Sequence, residues 1–114
     1  MDNRRSSLLE LLGKRIHVEV DRPVGYRHGD IVYPVNYGWV PGLMGGDGEE
    51  QDAYILGVNE PIKIYNDEII AILHRLNDVE DKWIVLDESD NYIKDEIEKI
   101  IDFKEKYFEH ELFL

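Results

Sequence analysis

A chain of 114 residues with 43% hydrophobic side chains has room for one modest core and not for two. Its net charge of −12 disfavours nucleic acid and anionic membranes as partners, and the absence of cysteine excludes disulfides and thiolate metal sites. With no apolar run of about eighteen residues to span a bilayer, a single cytoplasmic domain over residues 1–114 is expected. A homo-oligomer is compatible with the sequence.

In chain order, Ser7-Leu8-Leu9-Glu10 is a capping-box pattern and Gly13 a stop, so a short helix is expected over about residues 7–12. Ile16, Val18 and Val20 alternate with His17 and Glu19, the pattern of a half-buried strand that Pro23 ends. Residues 24–30 read as a loop. The segment Ile31 to Pro41 is rich in β-formers but carries Pro34 and Gly38, which predicts a bent or edge strand. A glycine-rich acidic loop follows from Gly42 to Gln51, then a strand over Asp52–Val58. Ile69–Leu73 is apolar on both faces, as in a central strand, and after the acidic turn Asn77–Asp81 comes a fifth strand, Trp83–Leu86. Beyond Asn91 the apolar period changes: Ile93, Ile97, Ile100, Ile101 and Phe108 predict an amphipathic helix over about residues 92–110. The fold class expected is mainly β with α (α+β), a five-stranded barrel closed by a C-terminal helix.

The residue types narrow the chemistry. There is no threonine, and Ser6, Ser7 and Ser89 lie in no nucleophile elbow. The four histidines are scattered, and no phosphate-binding G-x-x-x-x-G-K-[ST] loop occurs. Carboxylates and hard-cation chemistry remain.

Asp47-Gly48-Glu49-Glu50-Gln51-Asp52 places four carboxylates within six residues. They repel one another unless solvent screens them or a cation sits between them. Asp78-Val79-Glu80-Asp81 adjoins Lys82 and follows His74-Arg75. It reads either as a charged hairpin turn or as carboxylates for a metal, with Lys82 and Arg75 holding phosphate oxygens. Tyr37 is the hydroxyl chosen to donate among these groups, and Arg22, at a strand end, reads either as a surface residue or as one that reaches into a barrel mouth.

Tyr33-Pro34-Val35-Asn36-Tyr37-Gly38-Trp39-Val40-Pro41, followed by Asp47 to Gly57, resembles the signature of soluble inorganic pyrophosphatases, a Y-P-x-N-Y-G-aromatic strand leading to a D-G-[acid]-x-x-D turn. The resemblance covers about residues 16–86, with a weaker echo from Phe103 to His110. It implies a five-stranded OB-like barrel and Mg²⁺-dependent hydrolysis of pyrophosphate to two phosphates, with Mn²⁺ as an alternative ion. Asp47, Glu49, Asp52, Asp78 and Asp81 would be metal ligands. Tyr37, Lys82 and Arg22 would face phosphate. Asp52, Tyr37 and Lys82 would carry catalysis, with Arg75 a further contact to substrate.

Two departures stand out. Glu49 replaces the family's usual middle Asp. The Tyr-Lys pair that follows the family's aromatic-aromatic-Glu-His stretch is missing, because Phe108-Glu109-His110 runs into Glu111-Leu112. A slower enzyme than a full-length relative is therefore expected. The alternatives are a hydrolase of another phosphoanhydride, or a catalytically weak or inactive barrel that binds a phosphorylated ligand or a protein partner.

Overall fold

The computed structural model describes residues 9–44, 48–76, 80–86 and 92–114. Eight strands and one helix are assigned among them: β1 (Arg15–Arg22), β2 (Arg27–His28), β3 (Ile31–Val32), β4 (Asn36–Met44), β5 (Glu50–Ile55), β6 (Ile64–Arg75), β7 (Asp81–Leu86), α1 (Lys94–Glu105) and β8 (His110–Phe113). The main sheet runs β1-β4-β5-β7-β6, and a further β1–β6 pairing closes it into a five-stranded barrel. All its ladders are antiparallel except β5–β7. The fold is OB-like and mostly β, as the strand pattern predicts.

Of the expected N-terminal helix, Ser7 and Leu8 lie outside the described residues. Leu9 is helical, Glu10–Gly13 forms the turn after it, and Gly13 has a φ of +86°, a conformation that favours glycine. The chain end differs from expectation. The helix stops at Glu105 instead of continuing to residue 110, and His110–Phe113 is a strand. β8 pairs with β6 beyond the stretch that β1 occupies, so one long strand serves two partners along a single edge. Leu112 and Phe113 both score as apolar in either period, but they are buried in different clusters, which strand alternation does and a helix face does not.

The alternation of β4 to β7 creates two apolar layers. Val18, Val40, Ala53, Ile55, Ile69, Ile72, Trp83 and Val85 come from all five barrel strands and form one cluster, the barrel filling. Tyr37, Tyr54, Ala71, Leu73, Ile84 and Leu86 point the other way and meet Ile97 and Ile101 of α1. This double burial explains why Ile69–Leu73 is apolar on both faces. Ile97 and Ile101 are fully buried and Ile100 packs at the rim. Phe108, expected on the helix face, instead lies beyond the helix beneath the Arg75 guanidinium, 3.7 Å from its carbon.

Two residues of the Y-P-x-N-Y-G run have architectural work. Gly38 faces β1 so closely that a Cβ would fall 1.9 Å from the Glu19 carbonyl oxygen, so only glycine fits. Asn36 is fully buried and ties two loops together. Its oxygen accepts from the Val24 and Ile62 amides, and its nitrogen donates to the Val58 and Glu60 carbonyls.

The helix carries one buried charge, Glu105, with zero exposure. Its two oxygens accept from Arg75 Nε at 2.9 Å and from Arg75 Nη2 at 2.8 Å, and the second also accepts from the Tyr54 hydroxyl at 2.7 Å. Burial alone would raise the Glu105 pKa. The hydrogen bonds from Arg75 and Tyr54 outweigh it, so the group lies below its ordinary value of 4.5.

Two outcomes follow from this packing. Asn36→Ala strands four backbone groups and should cost at least about 2 kcal/mol in urea unfolding, since each unsatisfied buried group costs ~1–3 kcal/mol. For Glu105, a depressed folded-state pKa means that its stabilisation is complete above about pH 4.5 and is lost as pH falls through the lower folded value. Glu105→Gln should lose about 2–3 kcal/mol at pH 7, the scale of charge-assisted hydrogen bonds. Its unfolding free energy should then fall less steeply than that of the wild type below pH 4.5. An equally steep acid loss in both proteins would rule out this group as the source.

Candidate active site

The parallel pairing of β5 with β7 sets Asp52 opposite Lys82. Both side chains leave the sheet on the side that faces the helix, together with Tyr37, Tyr54 and Ile84. The site therefore lies on the barrel's outer face beneath the helix end, rather than among the residues that fill the barrel. A cavity of about 310 Å³ opens here, lined by Asp21, Arg22, Tyr37, Asp52, Arg75, Glu80, Lys82, Lys104 and Phe108.

Lys82 is only 2% exposed. Its ammonium donates to Asp52 Oδ2 at 2.6 Å, the Tyr37 hydroxyl at 2.8 Å and Glu80 Oε1 at 3.1 Å. Arg75, 3% exposed, reaches the other Glu80 oxygen through Nη1 at 3.0 Å and Glu105 on its far side. The buried cations and carboxylates thus alternate through Asp52, Lys82, Glu80, Arg75 and Glu105. Burial and the neighbouring Asp52 carboxylate push the Tyr37 pKa far above its usual value, so the hydroxyl keeps its proton at neutral pH. Burial also raises the Asp21 carboxyl, a shift that its own and Arg22's backbone amides and the Arg22 charge partly offset.

Arg22 owes its direction to a bulge. Val20 pairs with Gly38 but Arg22 pairs with Tyr37, so one residue of β4 is matched by two of β1. This extra residue turns Arg22 onto the Tyr37 face, where its Nη1 donates to the Tyr33 hydroxyl.

Of the residues expected from sequence, Asp52, Tyr37, Lys82, Arg75 and Arg22 share this cavity. Asp47 and Asp78 lie outside the described residues. Glu49 is exposed just before β5. Asp81 is not brought to Asp52: it lies across from His74 and hydrogen-bonds His74 Nδ1 at 2.7 Å. Successive strand residues face opposite ways, so Asp81 sides with Trp83 while Lys82 sides with Ile84. Glu80 and Asp21 are the carboxylates that sequence reasoning passed over in favour of their neighbours. Lys104 and Glu105 lie on the helix, outside every motif that the sequence offers for the site. A period-3.6 count could have flagged Glu105, which falls four residues after Ile101 on the buried stripe.

Among the described residues no three acidic or histidine side chains form a ready metal cage. The donor chemistry nevertheless suits Mg²⁺. Asp52 and Glu80 hold hard oxygens about one point, at 28% and 21% side-chain exposure, and Mg²⁺ is commonly held by one or two carboxylates plus substrate phosphate and water.

No curated protein matches the chain. Solved structures do. An inorganic pyrophosphatase from Helicobacter pylori is 18% identical with a TM-score of 0.67, covering 88% of this chain and 84% of that one. One from Coxiella burnetii is 18% identical with a TM-score of 0.64, covering 84% and 80%. Another from Thermus thermophilus is 15% identical with a TM-score of 0.59, covering 88% and 80%. At such identities the likeness concerns the fold. The family model described as inorganic pyrophosphatase matches residues 8–113, nearly the whole chain, and the chain therefore belongs to the inorganic pyrophosphatase family.

Proposed function

We propose that the chain hydrolyses inorganic pyrophosphate to two phosphates, with Mg²⁺ as cofactor and water as nucleophile. The observation that carries this reading is the meeting of Asp52, Glu80 and Tyr37 on the buried Lys82 ammonium, within a chain of the pyrophosphatase family. Bound Mg²⁺ would acidify a water molecule and neutralise phosphate oxygens.

The chain's own residues supply the remainder. Asp52 and Glu80 would hold the cation, with Asp47 and Asp78, close to them in sequence, as further ligand candidates. Glu49 would join them only by turning in from its exposed position, and Asp81 only by leaving His74. Tyr37 stays protonated and donates to a phosphate oxygen. Lys82 places positive charge beside the bridging oxygen, where negative charge grows as the P–O bond breaks. Arg75, held from behind by Glu105, fixes Glu80 and offers charge to a second phosphate oxygen.

A second reading has one observation in its favour. Lys82 already occupies the point between Asp52 and Glu80, so the barrel could bind a phosphorylated ligand without turning it over. Phosphate release from pyrophosphate separates the two. Hydrolysis should require Mg²⁺ and stop in EDTA. Asp52→Asn keeps the shape but removes the anion, and should lower the rate by about 10²–10³. Asp95→Asn, on the exposed start of the helix, should leave the rate unchanged. Folded wild-type protein with blank rates in Mg²⁺ and in Mn²⁺ would favour the binding reading.

A further inference from the structure

Outside the cavity, one histidine joins three segments of the chain. His110 opens β8 opposite Arg75 of β6, and its side chain is 13% exposed. Strand alternation turns it toward the helix together with Leu112, which packs among Ile97 and Ile101. Its Nε2 lies 3.0 Å from Glu98 Oε2 on α1, and its Nδ1 lies 2.9 Å from the Phe108 carbonyl oxygen. A carboxylate and a carbonyl only accept hydrogen bonds, so both ring nitrogens must carry a proton for both contacts to hold. That requirement makes the ring an imidazolium. Neutral imidazole has a single N–H, so it keeps one of the two bonds and sets a lone pair against the other oxygen.

We propose that His110 is a proton-operated clasp, whose imidazolium ties β8 and the linker before it to α1 and seats Phe108 over the cavity, a seat that loosens when the proton is lost. The carbonyl that His110 holds belongs to Phe108, whose ring covers the Arg75 guanidinium and lines the cavity. Residues 106–109 otherwise rest on backbone bonds from Lys106, Tyr107 and Phe108 to the last helical turn and from Leu76 to the Glu109 carbonyl. The charges around the ring favour the cation. Glu98 and Glu105 act on it from α1, and Glu111 of β8 borders the same surface cavity. Lys94 of α1 also lines that cavity, while Arg75, across on β6, is paired with Glu80 and Glu105. Burial alone would lower the His110 pKa, but the hydrogen bonds to Glu98 and Phe108, with the charges of Glu98 and Glu105, raise it above its ordinary 6.5. The clasp's stabilisation is therefore complete below pH 6.5 and lost as pH rises through the higher folded value.

Proton NMR of the full chain between about pH 5 and 8 follows the His110 ring directly. Its midpoint should lie above 6.5 in the wild type, and Glu98→Gln should shift it downward by removing the charge while keeping the shape. The Arg75 side-chain signals are displaced by the Phe108 ring beside the guanidinium and so report its seat. In the wild type they should move with the His110 midpoint as Phe108 loosens. In His110→Gln they should stay at one position throughout. His17→Gln, at an exposed histidine of β1, should leave the movement unchanged. The urea midpoint of unfolding should also fall as pH rises through the His110 titration, and fall less in Glu98→Gln. A His110 midpoint at or below 6.5, or Arg75 signals that move alike in wild type and His110→Gln, overturns the proposal. Should a variant fail to fold, the wild-type His110 midpoint and its coincidence with the Arg75 movement decide the matter alone. None of these readouts uses turnover, so blank hydrolysis rates leave the clasp standing, and an absent clasp leaves the hydrolase reading standing.

Discussion

Burying a charged side chain is tolerated only when an opposite charge is buried with it, and two such cations organise this molecule. Lys82 and Arg75 stand on neighbouring strands beneath the helix end, and each is almost wholly removed from solvent. Their ammonium and guanidinium must be met by anions from other elements. Asp52 comes from β5, Glu80 from the residue just before β7 and Glu105 from the helix. The arrangement that satisfies these charges is also the one that assembles the cavity. The residues that settle the buried charges therefore also line the cavity.

The helix is fastened in two ways. Ile97 and Ile101 bury apolar surface against Tyr54, Leu73 and Ile84, a non-directional attraction that sets distance but not register. The fork between Glu105 and Arg75 is directional and fixes the helix along its axis. Phe108 then closes over the outer face of that guanidinium. Fixing the axis has a consequence one residue away, because Lys104 adjoins Glu105 and is aimed at Tyr33 by the same docking. A shift of the helix by one residue would carry Lys104 away from Arg22.

The barrel contributes positioning through its irregularities. Without the bulge in β1, Arg22 would continue on the face shared by Val18 and Val20 and enter the barrel filling. With it, the guanidinium joins the aromatic group of Tyr26, Tyr33 and Tyr37. Asn36 and Gly38 act at a similar level. The amide ties the segment after β1 to the connection between β5 and β6, and the absent Cβ lets β1 approach β4. The motif that identifies the family is thus partly a set of packing constraints, with Tyr37 the member that faces the cavity.

The sequence by itself determined the strand count of the barrel, the presence of a helix beyond residue 92 and the family, and it singled out Asp52, Tyr37 and Lys82, which the fold brings together. These rest on periodicity, on turn-forming residues and on spacing within short motifs, all of which are local. Only the tertiary structure decided that Glu80 rather than Asp81 turns toward Asp52, that Arg22 faces the cavity, and that residues 110–113 leave the helix to extend the sheet. The reason is geometric. Strand side chains reverse direction at every residue, so an offset of one, invisible in composition, exchanges the two faces. Lys104 could be recognised only once a helix some seventy residues away in sequence was docked against Tyr33, and the period that puts Glu105 on the buried stripe does not name its partner Arg75. A charge on a helix reads as solvated until its partner across the fold is known.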